Sequence, residues 1–269
     1  DLARWFGGAH ESNPAFAHVD DIEEVIARTG ASLNVRQRDA VQQALSSRIT
    51  LISGGAGTGK TYTVSTLTAI CDDHDLAIVL AAPTGKAAKR LEEASGRSAT
   101  TIHRLLGYDG RSFAKGPDDM VAADLLIVDE VSMVDVPLAW HLFRSLDLTR
   151  TAVVLVGDHN QLPPVGPGNI LRDLIQSRAI PSTILDKCVR QAGVLKENST
   201  AILTGEVRKT SDKRPNGRSD WYLVDQFTDP SGVAKCLREL FENVLEEKLG
   251  FDLMQDVQVL TPTHKGPIG

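Results

Sequence analysis

The segment Gly54-Gly55-Ala56-Gly57-Thr58-Gly59-Lys60-Thr61 has the residue types and spacing of a phosphate-binding loop, G-x-x-x-x-G-K-[ST]. Glycines let a backbone turn tightly and approach a polyphosphate with no Cβ in the way. Successive N–H groups then form a nest at a helix start, where the macrodipole also favours an anion. Lys60 adds a mobile positive charge for the β and γ phosphates, and Thr61 offers a hydroxyl to Mg²⁺. The apolar run Ile49-Thr50-Leu51-Ile52 precedes the loop and a helix-like segment succeeds it, which is the context the motif requires. The chemistry implied is binding of a nucleoside triphosphate.

Two further segments could act on such a ligand. Asp124-Leu125-Leu126-Ile127-Val128-Asp129-Glu130 reads as an apolar strand ending in two carboxylates. Neighbours along a strand point to opposite sides, so the two acids can take different roles. Asp129 would hold Mg²⁺ opposite Thr61, and Glu130 would orient and deprotonate an attacking water. Val156-Gly157-Asp158-His159-Asn160-Gln161 comes after another buried strand, and the neutral amide of Gln161 suits a γ-phosphate sensor. In an open parallel sheet, ligands sit beyond the carboxyl ends of the strands, so these loops should meet in one crevice.

The elements that must position them alternate along the chain. Strands are expected at 49–53, 77–82, 124–128, 152–157 and near 182–185, with helices at 60–72, 84–95, 136–146 and 169–177. Runs such as Val153-Val154-Leu155-Val156 are continuously apolar, the mark of a parallel sheet covered on both faces. Before them lie a helix capped by Asp20 or Asp21 and ended by Gly30, then a helix from Val35 to Ser46 with Val41, Ala44 and Leu45 inward. Asp109-Gly110 predicts a hairpin between Gly107 and Lys115. Further on, Thr210 to Ser219 reads as an exposed loop, and strands are expected at Trp221–Val224 and Val257–Leu260. Between those strands, a long helix should turn Val233, Leu237, Leu240, Phe241, Val244 and Leu245 inward.

The composition, 42% hydrophobic and 24% charged, is that of an ordinary globular protein, and no apolar run approaches the ~20 residues a bilayer span requires. Cys71, Cys188 and Cys236 are widely spaced without a metal-like pattern, so reduced thiols in a cytoplasmic protein are expected. A net charge of −6 excludes a general attraction to nucleic acid and leaves only local patches. One such patch runs from Ala82 to Lys115, where seven Lys and Arg against three acids leave +4.

Taken in order, these segments resemble superfamily 1 helicases of the 5′-to-3′ branch, the RecD-like proteins related to the exodeoxyribonuclease V alpha subunit. Leu33-Asn34-Val35-Arg36-Gln37 looks like the family's adenine-reading element. Ala82-Pro83-Thr84-Gly85-Lys86-Ala87-Ala88-Lys89-Arg90-Leu91 and Thr100-Thr101-Ile102-His103-Arg104-Leu105-Leu106 resemble its two segments that grip single-stranded DNA. Val128-Asp129-Glu130-Val131-Ser132-Met133 and Gly157-Asp158-His159-Asn160-Gln161-Leu162-Pro163-Pro164-Val165 resemble its hydrolysis and coupling motifs. Asp186-Lys187-Cys188-Val189-Arg190-Gln191 resembles the segment whose arginine contacts the γ-phosphate, although Val189 stands where the family usually has an aromatic residue.

The resemblance implies a RecA-like P-loop NTPase lobe of α/β class with a mainly parallel sheet at 31–190, after a helical lead-in at 1–30. Residues 191–269 would begin a second RecA-like lobe, stopping before the family's later motifs. The nucleotide site would comprise Gln37, Gly55, Ala56, Gly57, Thr58, Gly59, Lys60, Thr61 and Tyr62, with Lys60, Asp129, Glu130, Gln161 and Arg190 catalytic. Thr61 and Asp129 would take Mg²⁺, and Pro83, Thr84, Lys86, His103 and Arg104 would take DNA. The implied activity is ATP-dependent unwinding of DNA from a single-stranded end, with nuclease-complex subunits as further partners and roles in DNA repair and recombination. The hairpin would split the duplex. Asp at position 1 and an end just after a strand-like run suggest a piece of a longer protein, weakly active alone. The competing expectations are a P-loop ATPase of another class, a loader or switch, and a DNA-binding module without motor activity.

Overall fold

The computed structural model describes residues 2–16, 21–186, 194–207, 221–227, 229–261 and 265–266. The chain divides into two compact units, Asp1–Ala192 and Gly193–Gly269.

The first unit opens with helices α1 (Leu2–Phe6), α2 (Ile22–Arg28) and α3 (Val35–Ser46). The Asp21 carboxylate accepts from the Glu24 N–H at 3.1 Å and starts α2; Gly30, at φ +66°, lies just past its end. A capping box starts α3. Asn34 Oδ1 accepts from the Gln37 N–H and Gln37 Oε1 accepts from the Asn34 N–H, both at 3.0 Å. Its inward face is Ala40, Val41, Ala44 and Leu45, all buried as the helical spacing requires.

Strands and helices then alternate: β1 (Ile49–Gly54), α4 (Lys60–Asp73), β2 (Ile78–Ala82), α5 (Gly85–Ser95), β3 (Ala99–Thr101), α6 (Ile102–Leu105), β4 (Leu125–Val128), α7 (Val136–Arg144), β5 (Ala152–Gly157), α8 (Ile170–Ser177) and β6 (Ser182–Leu185). They build one sheet in the order β3-β2-β4-β5-β1-β6, every pairing parallel. This is the α/β lobe with a parallel sheet that the apolar runs predict. Alternate strand residues enter separate cores. Leu126, Val128, Val153 and Leu155 pack with Phe6, Leu142, Phe143 and Leu174 on one face. Leu125, Ile127, Val154 and Val156 pack with Ile26, Val41, Leu67 and Ile70 on the other. Burial on both faces is why these strands carry no polar alternation.

One strand escaped the sequence pattern. β3 is three half-buried residues, Ala-Thr-Thr, with no apolar run; it exists because Leu80 to Ala82 of β2 offers it a ladder at the sheet edge. The hairpin is present: Tyr108 and Phe113 form an antiparallel bridge, and the Asp109 carboxylate accepts from the Arg111 and Ser112 N–H groups at 2.8 Å.

In the second unit lie α9 (Val194–Leu203) and α10 (Pro230–Leu240), the latter continuing as a π-helical turn, Phe241–Leu245. Asp229 caps α10 by accepting from the Gly232 N–H at 2.9 Å. Here three expectations fail. No residue of α10 or its π turn is buried, so the face from Val233 to Leu245 has no core among the described residues. Neither Trp221–Val224 nor Val257–Leu260 is a strand. A strand requires a partner ladder as well as apolar residues, and neither segment has one among the described residues. The loop expected at Thr210–Ser219 lies outside the described residues.

Candidate functional site

The phosphate-type loop spans from the end of β1 to the start of α4, at the carboxyl edge of the sheet. Lys60 Nζ donates to the carbonyls of Gly54 at 2.5 Å and Gly55 at 3.0 Å, so the ammonium arches back over its own loop. The Thr58 hydroxyl is spent on Gly55 O at 2.9 Å beneath the loop, while Ala56 stands exposed at its crest. Gly59 has φ +90°, and a Cβ there would run into Gln37 Nε2. Only glycine satisfies both demands. Gln37 is buried and donates from Nε2 to Thr58 O at 3.4 Å, so α3 and the loop are tied together. A pocket of about 340 Å³ opens between Ser32, Gln37, Gly55, Gly57, Gly59, Lys60, Thr61 and Tyr62. The Tyr62 hydroxyl accepts from the Ser32 N–H at 3.0 Å, which fixes the ring at the pocket wall.

Two strands away, β4 ends at the carboxylate pair. The Asp129 N–H donates to Ala81 O at 2.9 Å, and Asp129 Oδ1 accepts from the Glu130 N–H at 2.8 Å. Burial raises the Asp129 carboxyl above the ordinary range, against the Glu130 N–H and the Lys60 charge, which lower it. Burial also raises Glu130, helped by the charges of Asp129 and Asp158 and opposed by Lys60 and Arg90. The Lys60 charge thus acts on both acids. Glu130 sits in left-handed backbone at φ +54°, and its Oε2 is buried with no hydrogen-bond partner. Such strain in a non-glycine residue costs on the order of 1–3 kcal/mol and gathers at sites where a side chain must be aimed.

Gln161 is exposed, and its Oε1 accepts from the Ser132 hydroxyl at 3.4 Å. It lines a larger cleft of about 940 Å³ rather than the wall of the phosphate-loop pocket. Of the residues expected to converge, Lys60 and Thr61 share the pocket and Asp129 and Glu130 share the field of Lys60, whereas Gln161 stands on the neighbouring cleft. Arg190 lies outside the described residues.

Pro83, Thr84 and His103 line that same cleft; Lys86 and Arg104 are exposed and do not. Thr84 Oγ1 accepts from the Ala87 N–H at 3.2 Å as the cap of α5, which leaves its O–H free to donate. Sequence reasoning did not place Pro137, Leu138 or His141 in this lining. His103, Tyr108, Phe113 and His141 form a chain of rings, with Tyr108–Phe113 centroids 4.7 Å apart and Phe113–His141 4.3 Å apart. Trp140 meets His141 at 4.9 Å and carries the Arg144 guanidinium over its face at 4.4 Å. Burial, then the Arg144 charge, lowers the His141 pKa and favours the neutral ring. On the opposite lip, Leu162 is 86% exposed and Val165 fully so. Apolar groups that exposed in a Leu-Pro-Pro-Val loop were the available sequence signal. The loop is held from behind, where a Cβ on Gly166 would collide with the Asp135 carboxylate and Pro167 O accepts from the Val136 N–H at 3.0 Å.

The family model described as AAA domain matches residues 32–218. This chain belongs to the AAA domain family. The matched region of this AAA domain contains every residue expected to touch nucleotide, from Gln37 to Arg190. RecD proteins are among its sequence relatives. The ATP-dependent RecD2 DNA helicase of Deinococcus radiodurans is 36% identical over 258 residues, 95% of this chain and 34% of that protein. The RecBCD enzyme subunit RecD of Mycolicibacterium smegmatis is 39% identical over 166 residues, 52% of this chain and 30% of that protein. The chain therefore spans about a third of the length of these curated relatives. A crystal structure of Pif1 helicase from Candida albicans aligns with a TM-score of 0.49 at 22% identity, over 66% of this chain and 45% of that one. The AAA domain carries a nucleotide-using loop. Among its described residues no cluster of three or more His, Cys, Asp or Glu could hold a metal by itself, and no helix is long and apolar enough to cross a membrane.

Proposed function

We propose that residues 31–190 are the first RecA-like lobe of an ATP-driven DNA motor, that 1–30 lead into it, and that 191–269 begin the second lobe. In the intact protein the motor would unwind duplex DNA 5′ to 3′ from a single-stranded end, in the cytoplasm. The observation that carries this reading is Lys60 placed over its loop while its charge reaches both strand-end carboxylates, one of them strained and with a buried, unpartnered oxygen.

Each residue has its share of the work. Gln37 and Tyr62 face the base, which favours ATP over GTP. Main-chain N–H groups from Gly55 to Thr61 and the Lys60 ammonium take the phosphates. Mg²⁺ would be held by Thr61 and Asp129, and it would supply positive charge against the phosphate oxygens. Glu130 takes the proton of the attacking water; its raised pKa, from burial and from Asp129, makes it a better base than an exposed acid. Gln161 senses the γ-phosphate, and Arg190 completes the site. Single-stranded DNA would cross the cleft between Thr84, His103 and the 162–165 loop, with Lys86 and Arg104 neutralising phosphates on its flanks.

The test is hydrolysis by the intact protein with and without single-stranded DNA. Strong stimulation by DNA and poor competition by GTP are expected. This piece alone should bind ATP–Mg²⁺, hydrolyse it feebly and leave a forked duplex paired. Indifference of the intact enzyme to DNA would remove the motor reading and favour a loader or switch.

A further inference from the structure

The geometry points to His159 as a positioning residue, whose hydrogen bond to Ser53 sets the loop that carries Gln161. This inference rests on the nucleotide-hydrolysis reading above and adds a residue pair to it.

Ser53 is the last-but-one residue of β1, fully buried, and directly precedes the phosphate loop. β1 and β5 are adjacent, and their parallel register pairs Ser53 with Gly157. The chain leaving β5 therefore passes beside the Ser53 side chain. Ser53 Oγ lies 2.8 Å from His159 Nδ1 and also accepts from the His159 N–H at 3.3 Å. The hydroxyl still has its proton to give, so a neutral ring with Nδ1 as acceptor satisfies both groups.

Beyond His159 the chain makes a stiff turn. The Asn160 N–H donates to Asp158 Oδ1 at 3.0 Å, and the Gln161 N–H donates to Asp158 O at 3.1 Å. At its far end Gln161 Oε1 takes the Ser132 hydroxyl, two residues beyond Glu130. Residues 158–161 thus stand with one foot on the strand that leads into the phosphate loop and the other on the segment after the carboxylate pair. A displacement of the loop relative to Ser53 would be carried to Gln161 through these two hydrogen bonds of the turn. Ser53 and His159 line neither pocket, whereas Gln161 lines the larger cleft, so the pair is assigned to placing Gln161.

The experiment measures steady-state ATP hydrolysis by the intact protein, with single-stranded DNA at saturation. His159→Ala should lower kcat about tenfold, less than the ~10²-fold that a 1 Å misplacement can cost, with KM for ATP within about twofold. His159→Asn should recover most of the rate, since its Oδ1 can occupy the Nδ1 position and accept from Ser53. His159→Gln places its oxygen one methylene further out and should not recover it. Ser53→Ala should match His159→Ala, and the double variant should be no slower than either. Equal kcat in wild type and His159→Ala overturns the inference, as do additive losses in the double variant or a His159→Asn no better than His159→Ala. Lys60→Ala separates the two levels. If it hydrolyses normally, the nucleotide site itself is misassigned; if it is dead while His159→Ala is normal, only the positioning role falls.

Discussion

The phosphate-loop pocket and the aromatic cleft beside it are built from different materials. The pocket is made largely of backbone: glycines, their N–H groups, and one lysine folded onto two carbonyls, nearly all from consecutive residues. The cleft is made of side chains from the end of β2, α6, the hairpin, α7 and the loop after β5. The difference teaches where each site is vulnerable. A main-chain cradle survives most side-chain changes but fails if the charge at its centre or the acids facing it are lost. A side-chain cleft loses affinity ring by ring.

Substitutions can therefore break one region while sparing the other. Glu130→Gln should have the largest effect, a fall in kcat of about 10²–10⁴, the usual worth of a general base, with single-stranded DNA binding unchanged in a fluorescence titration. Lys60→Ala should lower hydrolysis by about 10²–10³, the range seen when one preorganised donor to developing charge is removed. Its DNA affinity without nucleotide should also stay at the wild-type value. A large loss of DNA binding in either variant would mean that the two regions are one site.

On the other side, Phe113→Ala removes the ring at the centre of the aromatic chain, where it meets Tyr108 and His141. It should weaken single-stranded DNA binding by about 1–3 kcal/mol, the worth of one stacking platform, while KM for ATP stays within twofold. An unaltered DNA affinity would assign the cleft to something other than nucleic acid. The smallest effect concerns stability. Burial raises both Asp129 and Glu130, so between the ordinary and raised values the folded state holds more protons than the unfolded one. Stability then falls as pH rises through that window, and the charged pair remains a cost at neutral pH. Asp129→Asn should raise the melting temperature by ~2–4 °C for each kcal/mol relieved. That gain should disappear in acid, where the wild-type carboxyls are protonated.

A second contrast separates the two units. In Asp1–Ala192 each apolar run found a partner strand and two covering layers, and β1, β2, β4, β5 and β6 lie where their sequences place them. In Gly193–Gly269 the runs at 221–224 and 257–260 have the same kind of residues, yet Tyr222, Val224 and Leu260 are exposed and neither run is a strand. β3 is the converse, a polar tripeptide made into a strand by its neighbour. A strand is a property of a pair.

Whatever is built from near neighbours was legible in the residues alone. The phosphate loop, the cap of α2, the hairpin turn at Asp109 and the strand ending in Asp129 and Glu130 all depend on contacts a few positions apart. Local stereochemistry and spacing suffice to specify them. The tertiary structure alone decided which segments share a wall: Gln161 beside the cleft, His141 against Phe113, and Ser53 under His159. Those contacts join residues far apart in the chain, and they are set by strand order and register, which depend on how the whole sheet packs between its two cores.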